Sequence, residues 1–173
     1  MKKAIVALMI IICAATLFAA SWSQTIVLMS VVEEVYPSFS LEVSHVENGY
    51  GYNTSKNEAA ILSHNVKENV KASFSIWQSL SRYVGDVKIT VFVTELSWNG
   101  YHTEGLQISG STYPTKNRQG SVSVSNKSIE FNLFYSGAID ESIAAEFTVE
   151  YNKDSILPDE TYVSYVKMVV EVK

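Results

Sequence analysis

Apolar and polar residues alternate with the two-residue period of a half-buried strand along most of this chain. Ala72, Phe74 and Ile76 alternate with Lys71, Ser73 and Ser75. Val87, Ile89, Val91 and Val93 alternate with Lys88, Thr90 and Thr94. The same pattern returns at Ile129, Phe131, Leu133 and Tyr135, and again at Phe147, Val149 and Tyr151. Each run predicts a strand with one face in a core and one in water. Turn signals separate them at Asn48-Gly49, Gly85-Asp86, Asn99-Gly100, Ser109-Gly110-Ser111, Gly120 and Ser136-Gly137. Further strands are predicted over 24–35, 38–46, 104–109, 120–125 and 160–172. Residues 58–70 read two ways. Ala59, Leu62, Val66 and Val70 suit a helical stripe, and Ala60 to Ser63 suit a short strand. The β structure on both sides favours strand and loop.

About nine or ten strands in one domain predict an all-β, immunoglobulin-like sandwich with Greek-key connections. A closed barrel is the alternative. No repeat, low-complexity segment or interior linker interrupts the pattern.

The first residues break the alternation. Met1-Lys2-Lys3 leads into an apolar run from Ala4 to Ala20, then Ser21-Trp22-Ser23-Gln24. A basic start, an apolar middle and a small-residue exit are the pattern of a secretory signal peptide. Cleavage after Ser21 or Ser23 satisfies the small-residue rule. The run is 17 residues long, at the bottom of the membrane-spanning range of roughly 17–25. A retained membrane helix is therefore the competing reading. A lipoprotein cut at Cys13 is disfavoured by the large Ile12 before it and the apolar stretch after it. The expected division is a signal peptide over 1–23 and a single sandwich over 24–173, about 150 residues and enough for a sizeable core.

Export changes the charge and the thiol count. Without Lys2 and Lys3, the 13 basic residues become 11 against 18 acidic ones, a net charge near −7. An acidic surface argues against nucleic acid and anionic membrane as partners. Cys13 is the single cysteine, so the exported chain has no disulfide to draw on and rests on core burial.

Chemistry-bearing patterns are sparse. His45, His64 and His102 are far apart in sequence and form no ligand pair. There is no H-E-x-x-H, G-x-S-x-G or P-loop. Gly49-Tyr50-Gly51 opens like a dinucleotide fingerprint but lacks the third glycine and a following helix, so it reads as a turn. The acidic pairs Glu33-Glu34, Asp140-Glu141 and Asp159-Glu160 are sequence neighbours. On a strand such neighbours point to opposite faces, which works against paired-carboxylate hydrolysis. Asp154, Asp159 and Glu160 match no spaced calcium loop. No catalytic, metal-ligating or cofactor-binding residue is assigned, and no cofactor is expected.

Aromatic residues offer the other opening. Trp77, Trp98 and Tyr101 fall near strand ends, and Tyr50, Tyr52 and Tyr113 fall in turn-rich loops. Exposed rings stack on sugars or contact proteins. Trp98 and Tyr101 are the candidate ligand-binding residues; the competing reading is core packing for Trp77 or Trp98 and loop anchoring for the tyrosines.

Both ends of the exported chain carry strand patterns. Thr25 to Val35 is apolar on both faces, with Ile26, Leu28, Ser30 and Val32 on one and Thr25, Val27, Met29 and Val31 on the other. Such a strand expects burial on both sides. Near the other end, Leu157-Pro158-Asp159-Glu160-Thr161-Tyr162 turns into a strand with Tyr162, Ser164, Val166, Met168, Val170 and Val172 on its inward face.

The opening strand followed by Tyr36-Pro37-Ser38-Phe39-Ser40-Leu41, and the closing L-P-x-x-T-Y before an alternating strand, resemble secreted fimbrial-type subunits. The cysteine-free mature chain is most similar to the coli-surface-antigen class of chaperone–usher fimbriae. Spore-coat-U-like proteins share the general pattern. The resemblance covers the two ends and not the middle. It implies an incomplete sandwich whose groove is filled by the N-terminal strand of another subunit. Here Thr25 to Val35 would be the donor, with Ile26, Leu28, Ser30 and Val32 as partner-binding residues and Ser30 as the small mid-strand side chain. No flexible linker sets this strand apart, so pairing within its own chain stays open.

The expectation is an exported, non-catalytic structural or adhesion protein of the periplasm or cell surface, with a protein partner or self-association. The alternative is a monomeric secreted or periplasmic module that binds a glycan or protein through Trp98 and Tyr101. A hydrolase built from scattered carboxylates is the third reading. After signal cleavage no stable membrane span is expected.

Overall fold

The computed structural model describes residues 35–64, 66–154 and 156–173. The predicted strand 24–35, with Ile26, Leu28, Ser30 and Val32, lies outside them save for Val35, as does the signal segment.

Twelve strands run through the described residues: β1 (Phe39–Glu47), β2 (Tyr50–Ser55), β3 (Glu58–His64), β4 (Val70–Gln78), β5 (Ser81–Val93), β6 (Ser97–Trp98), β7 (Tyr101–His102), β8 (Leu106–Thr112), β9 (Arg118–Ser125), β10 (Ser128–Ile139), β11 (Ser142–Tyr151) and β12 (Thr161–Val172). They form two antiparallel sheets, the β-sandwich that the alternation predicts. One sheet has the order β1-β4-β11-β8; the other has β2-β3-β12-β5-β10-β9, with β6 attached to β12 and to β7. Late β12 sits between early β3 and β5, pairing with β3 through 161–167 and with β5 through 166–172. Such non-sequential neighbours come from Greek-key connections.

The strands hold their register because their inward faces share one core. Ile129, Phe131 and Leu133 of β10 stand opposite Val91, Ile89 and Val87 of β5, and all six are buried. Phe74 and Phe147, paired on neighbouring strands of one sheet, stack at 4.6 Å between centroids, and Phe131 reaches across the interior to tilt against Phe147 at 6.3 Å. A one-residue slip of β10 would turn its whole apolar set outward. The ambiguous stretch 58–70 resolves into β3 and a loop in which Val66 is buried.

Two differences from the sequence reading are informative. Tyr50 and Tyr52 lie in an edge strand rather than a loop, both on the outer face. The alternate positions on the strand, Gly51 and Asn53, carry no apolar side chain, so the strand shows no apolar alternation. The Asn99-Gly100 turn also builds two very short strands, β6 and β7, that raise the strand count.

The two sides of the sandwich end differently. On one side, β1 and β2 both carry bulges, between Val43 and His45 and between Asn53 and Ser55. They are also stitched together. The Leu41 N–H donates to the Lys56 carbonyl at 2.8 Å, and the Asn53 side chain bonds the Val43 N–H at 3.1 Å and the Leu41 carbonyl. On the other side, β8 and β9 end their sheets with no bulge in either ladder. They meet at one end, where Gly120 is so close to β8 that a β-carbon there would stand 2.8 Å from Thr112 Cγ2. At the other end they part. Val124 shares the inward face of buried Ile129, yet is 52% exposed.

Candidate binding surfaces

Trp98 and Tyr101 stand opposite each other on the β6–β7 hairpin. Asn99 and Gly100 link them with φ of 45° and 88°. Two successive left-handed residues make the tight hairpin turn whose twist suits antiparallel strands, and Asn-Gly is the pair that reaches it at least cost. The hairpin is anchored to the body through Val163 opposite Ser97, and Thr103 donates its N–H to the Leu96 carbonyl at 3.0 Å.

This turn brings the two predicted ligand-binding rings together. Trp98 and Tyr101 stack at 5.9 Å and 17° between planes. Trp98 also tilts against buried Tyr162 at 6.4 Å. Trp98 is therefore half a core residue, held from behind, whereas Tyr101 is 48% exposed. Tyr162 donates to the Pro158 carbonyl at 3.0 Å. Burial, then Glu160, Tyr101 and Asp154, push its phenol up, so it stays a neutral donor that fixes the ring behind Trp98.

Beside Tyr101 lies an open cleft of about 350 Å³, lined by Tyr101, His102, Glu104, Asp154 and the 91%-exposed Ile156 among others. A flat ring, an aliphatic side chain and carboxylates around one hollow suit a sugar, which offers an apolar face and a rim of hydroxyls. Among the described residues, no group of three or more His, Cys, Asp or Glu side chains is arranged to hold a metal ion. No helix among them is long and apolar enough to cross a membrane.

The second surface is the β8–β9 side. Residues 106–115 and 119–126 contain no Asp, Glu, Lys or Arg, in a chain with 31 such residues (13 basic and 18 acidic). Sheet edges are commonly protected from other chains by charges, prolines or bulges. Here the body of both edge strands has none of these.

One residue missed in the sequence organises this side. Arg118 opens β9 and is 1% exposed. Its guanidinium donates to the Tyr113 carbonyl at 2.7 and 3.1 Å, the Ile143 carbonyl at 2.6 Å, Ser142 Oγ at 3.3 Å and Gln78 Oε1 at 2.5 Å. Tyr135 donates to the same Gln78 oxygen at 2.7 Å. No carboxylate is among these partners, so burial lowers the guanidinium pKa and the neighbouring Tyr135 only partly offsets it. Neutral acceptors, delivered by β4, β11 and the loop before β9, share the charge.

No family model, curated protein or solved structure matches this chain.

Proposed function

We propose that this chain is an exported, non-catalytic protein of the periplasm or cell surface that works by assembly and adhesion, with strand addition as its mode of contact. The observation that carries this reading is the unguarded β8–β9 side, where two uncharged edge strands end their sheets and inward-facing Val124 lies half bare. An added strand gains backbone hydrogen bonds for affinity and buries alternate side chains for specificity. Thr25 to Val35, whose sequence predicts a strand apolar on both faces, would be a donor of that kind, and Ile26, Leu28, Ser30 and Val32 are the side chains it would insert.

N-terminal sequencing of the protein recovered from its host is expected to give a start between about residues 20 and 25. Size-exclusion chromatography of that form is expected to show self-association. Removing 24–35 is expected to leave a folded body that binds an added 24–35 peptide. A form that keeps Met1 to Ala20, or a body that ignores the peptide and never associates, would overturn the reading.

A second reading rests on the hairpin: a monomeric binding module that stacks a sugar on Tyr101 above the Glu104–Asp154 cleft. Glycan binding by a monomer, abolished by Tyr101→Ala, would favour it.

A further inference from the structure

We infer that β9 is a self-recognition strand: two copies of this chain pair β9 to β9 antiparallel about a two-fold axis at Ser123. This deepens the assembly reading above and rests on it, and it leaves the β8 edge for the Thr25–Val35 segment.

The first ground is the direction of the backbone groups. The Asn117 carbonyl accepts from Ser136 of β10 at 3.0 Å, whereas the Arg118 carbonyl turns away from β10 and accepts from Thr115 at 2.8 Å. Successive residues of a strand alternate in this respect. Even-numbered Gly120, Val122 and Val124 therefore turn their N–H and C=O groups outward, past the last strand of the sheet.

The second ground is the sequence of the strand. Ser121-Val122-Ser123-Val124-Ser125 reads the same in both directions. Antiparallel pairing about Ser123 sets Val122 opposite the second copy's Val124, Val124 opposite its Val122, and Ser121 opposite its Ser125. In that register the outward-turned valines face each other as hydrogen-bonded pairs, about four backbone bonds in all. A register shifted by one residue would set Val against Ser and turn outward-pointing groups toward groups pointing the other way.

Side-chain faces agree with the same register. The valines continue the core face, so half-exposed Val124 gains the second copy's Val122 beside it. Ser121, Ser123 and Ser125 meet serines on the wet face, where small hydroxyls fit and bond. Charge agrees too. The chain carries a net charge of −5, which disfavours contact between copies; the stretch 119–126 puts no charge opposite a like charge. Because the β2 edge is bulged and stitched to β1, edge pairing at β9 closes at two copies rather than running on into an open sheet.

Cysteine scanning of the full chain in a Cys13→Ser background tests the register. In a non-hydrogen-bonded antiparallel pair the Cα atoms lie about 4.5 Å apart, within disulfide reach. Ser123→Cys is expected to cross-link to itself under mild oxidation. Ser121→Cys is expected not to cross-link alone and to do so when mixed with Ser125→Cys. Sedimentation gives the energetic arm. Ser123→Lys is expected to weaken self-association at least tenfold at unchanged melting temperature, and mixing it with Ser123→Glu is expected to restore pairing. If Ser123→Lys associates as the parent does and only removal of 24–35 disperses the assembly, self-pairing at β9 is wrong and the assembly reading survives. If the parent stays monomeric into the hundreds of micromolar, both are wrong.

Discussion

Arg118 and Gln78 meet inside the sandwich, the guanidinium Nη1 donating to Oε1 at 2.5 Å. The contact joins the start of β9 to the end of β4 on the opposite sheet, and Tyr135 adds its hydroxyl to the same oxygen. It is a clasp made of a cation and neutral acceptors. Removing the cation leaves the Gln78 oxygen and the Tyr113 and Ile143 carbonyls without the donor they face.

Arg118→Met is therefore expected to destabilise the protein by about 2–4 kcal/mol, since each buried acceptor left unpaired costs roughly 1–3 kcal/mol. Arg118→Lys is expected to recover little, because an ammonium lacks the planar fork that reaches three chain segments at once. Denaturant unfolding checks both. A loss below about 0.5 kcal/mol for Arg118→Met would place it among ordinary surface changes and refute the clasp.

Phe131 lies wholly within the core, between the Ile89 opposite it and the ring of Phe147. Phe131→Ala is expected to cost about 3–5 kcal/mol through lost burial and a residual cavity. The same denaturant midpoints report it.

Alkaline pH is expected to weaken the fold. Burial pushes the phenols of Tyr135 and Tyr151 well above the ordinary tyrosine range, and Tyr151 shares a 2.6 Å hydrogen bond with Ser164. A pKa raised in the folded state means that the unfolded chain loses its proton first. Stability held below the unfolded value of about 10 is therefore lost as pH climbs from there toward the folded values. Unfolding midpoints followed from neutral to strongly alkaline pH should fall over that window. Tyr151→Phe should flatten the decline. A flat profile in the parent would sink the argument.

Trp98 and Tyr101 are expected to separate under mutation although their rings stack. Trp98→Ala removes a side chain that leans on Tyr162 and is expected to cost about 1.5–3 kcal/mol. Tyr101→Ala removes an exposed ring and is expected to stay within about 0.5 kcal/mol of the parent. Under the glycan reading, both lose binding and only Trp98→Ala loses stability. Glycan-array signal beside thermal melts makes the comparison.

Much of this fold was legible from alternation because core-facing strands must alternate. Val91 and Phe131 are core residues for the reason their spacing announced. Asn99-Gly100 announced its turn by backbone preference alone. Edge strand β2 was not legible, since Tyr50 and Tyr52 are exposed and the alternate positions, Gly51 and Asn53, are not apolar. Arg118 was not legible either. Beside Lys116 and Asn117 it reads as a solvated turn, and its acceptors, Gln78, Tyr113 and Ile143, are brought to it only by tertiary structure. Trp98 and Tyr101 were legible as candidate ligand-binding aromatics but not as a stacked pair, and the cleft beside them was hidden because Asp154 and Ile156 come from a distant loop. The segment predicted to carry Ile26, Leu28, Ser30 and Val32 on one strand face lies outside the described residues save for its last, Val35, which bridges Arg82 of β5; the peptide experiment tests where the rest pairs.

The place of β12 bears on the order of events during synthesis. Strands β2 and β3 leave the ribosome early, and β5, β10 and β9 follow, but no ladder joins these two groups until Thr161 to Val172 has been made. The larger sheet is thus a zip whose slider is the last of its strands to be made. Until then its contacts span long stretches of chain and close slowly. A nascent chain of this design keeps its larger sheet in two parts until that strand is made, a condition that would suit a polypeptide threaded, unfolded, through a narrow pore.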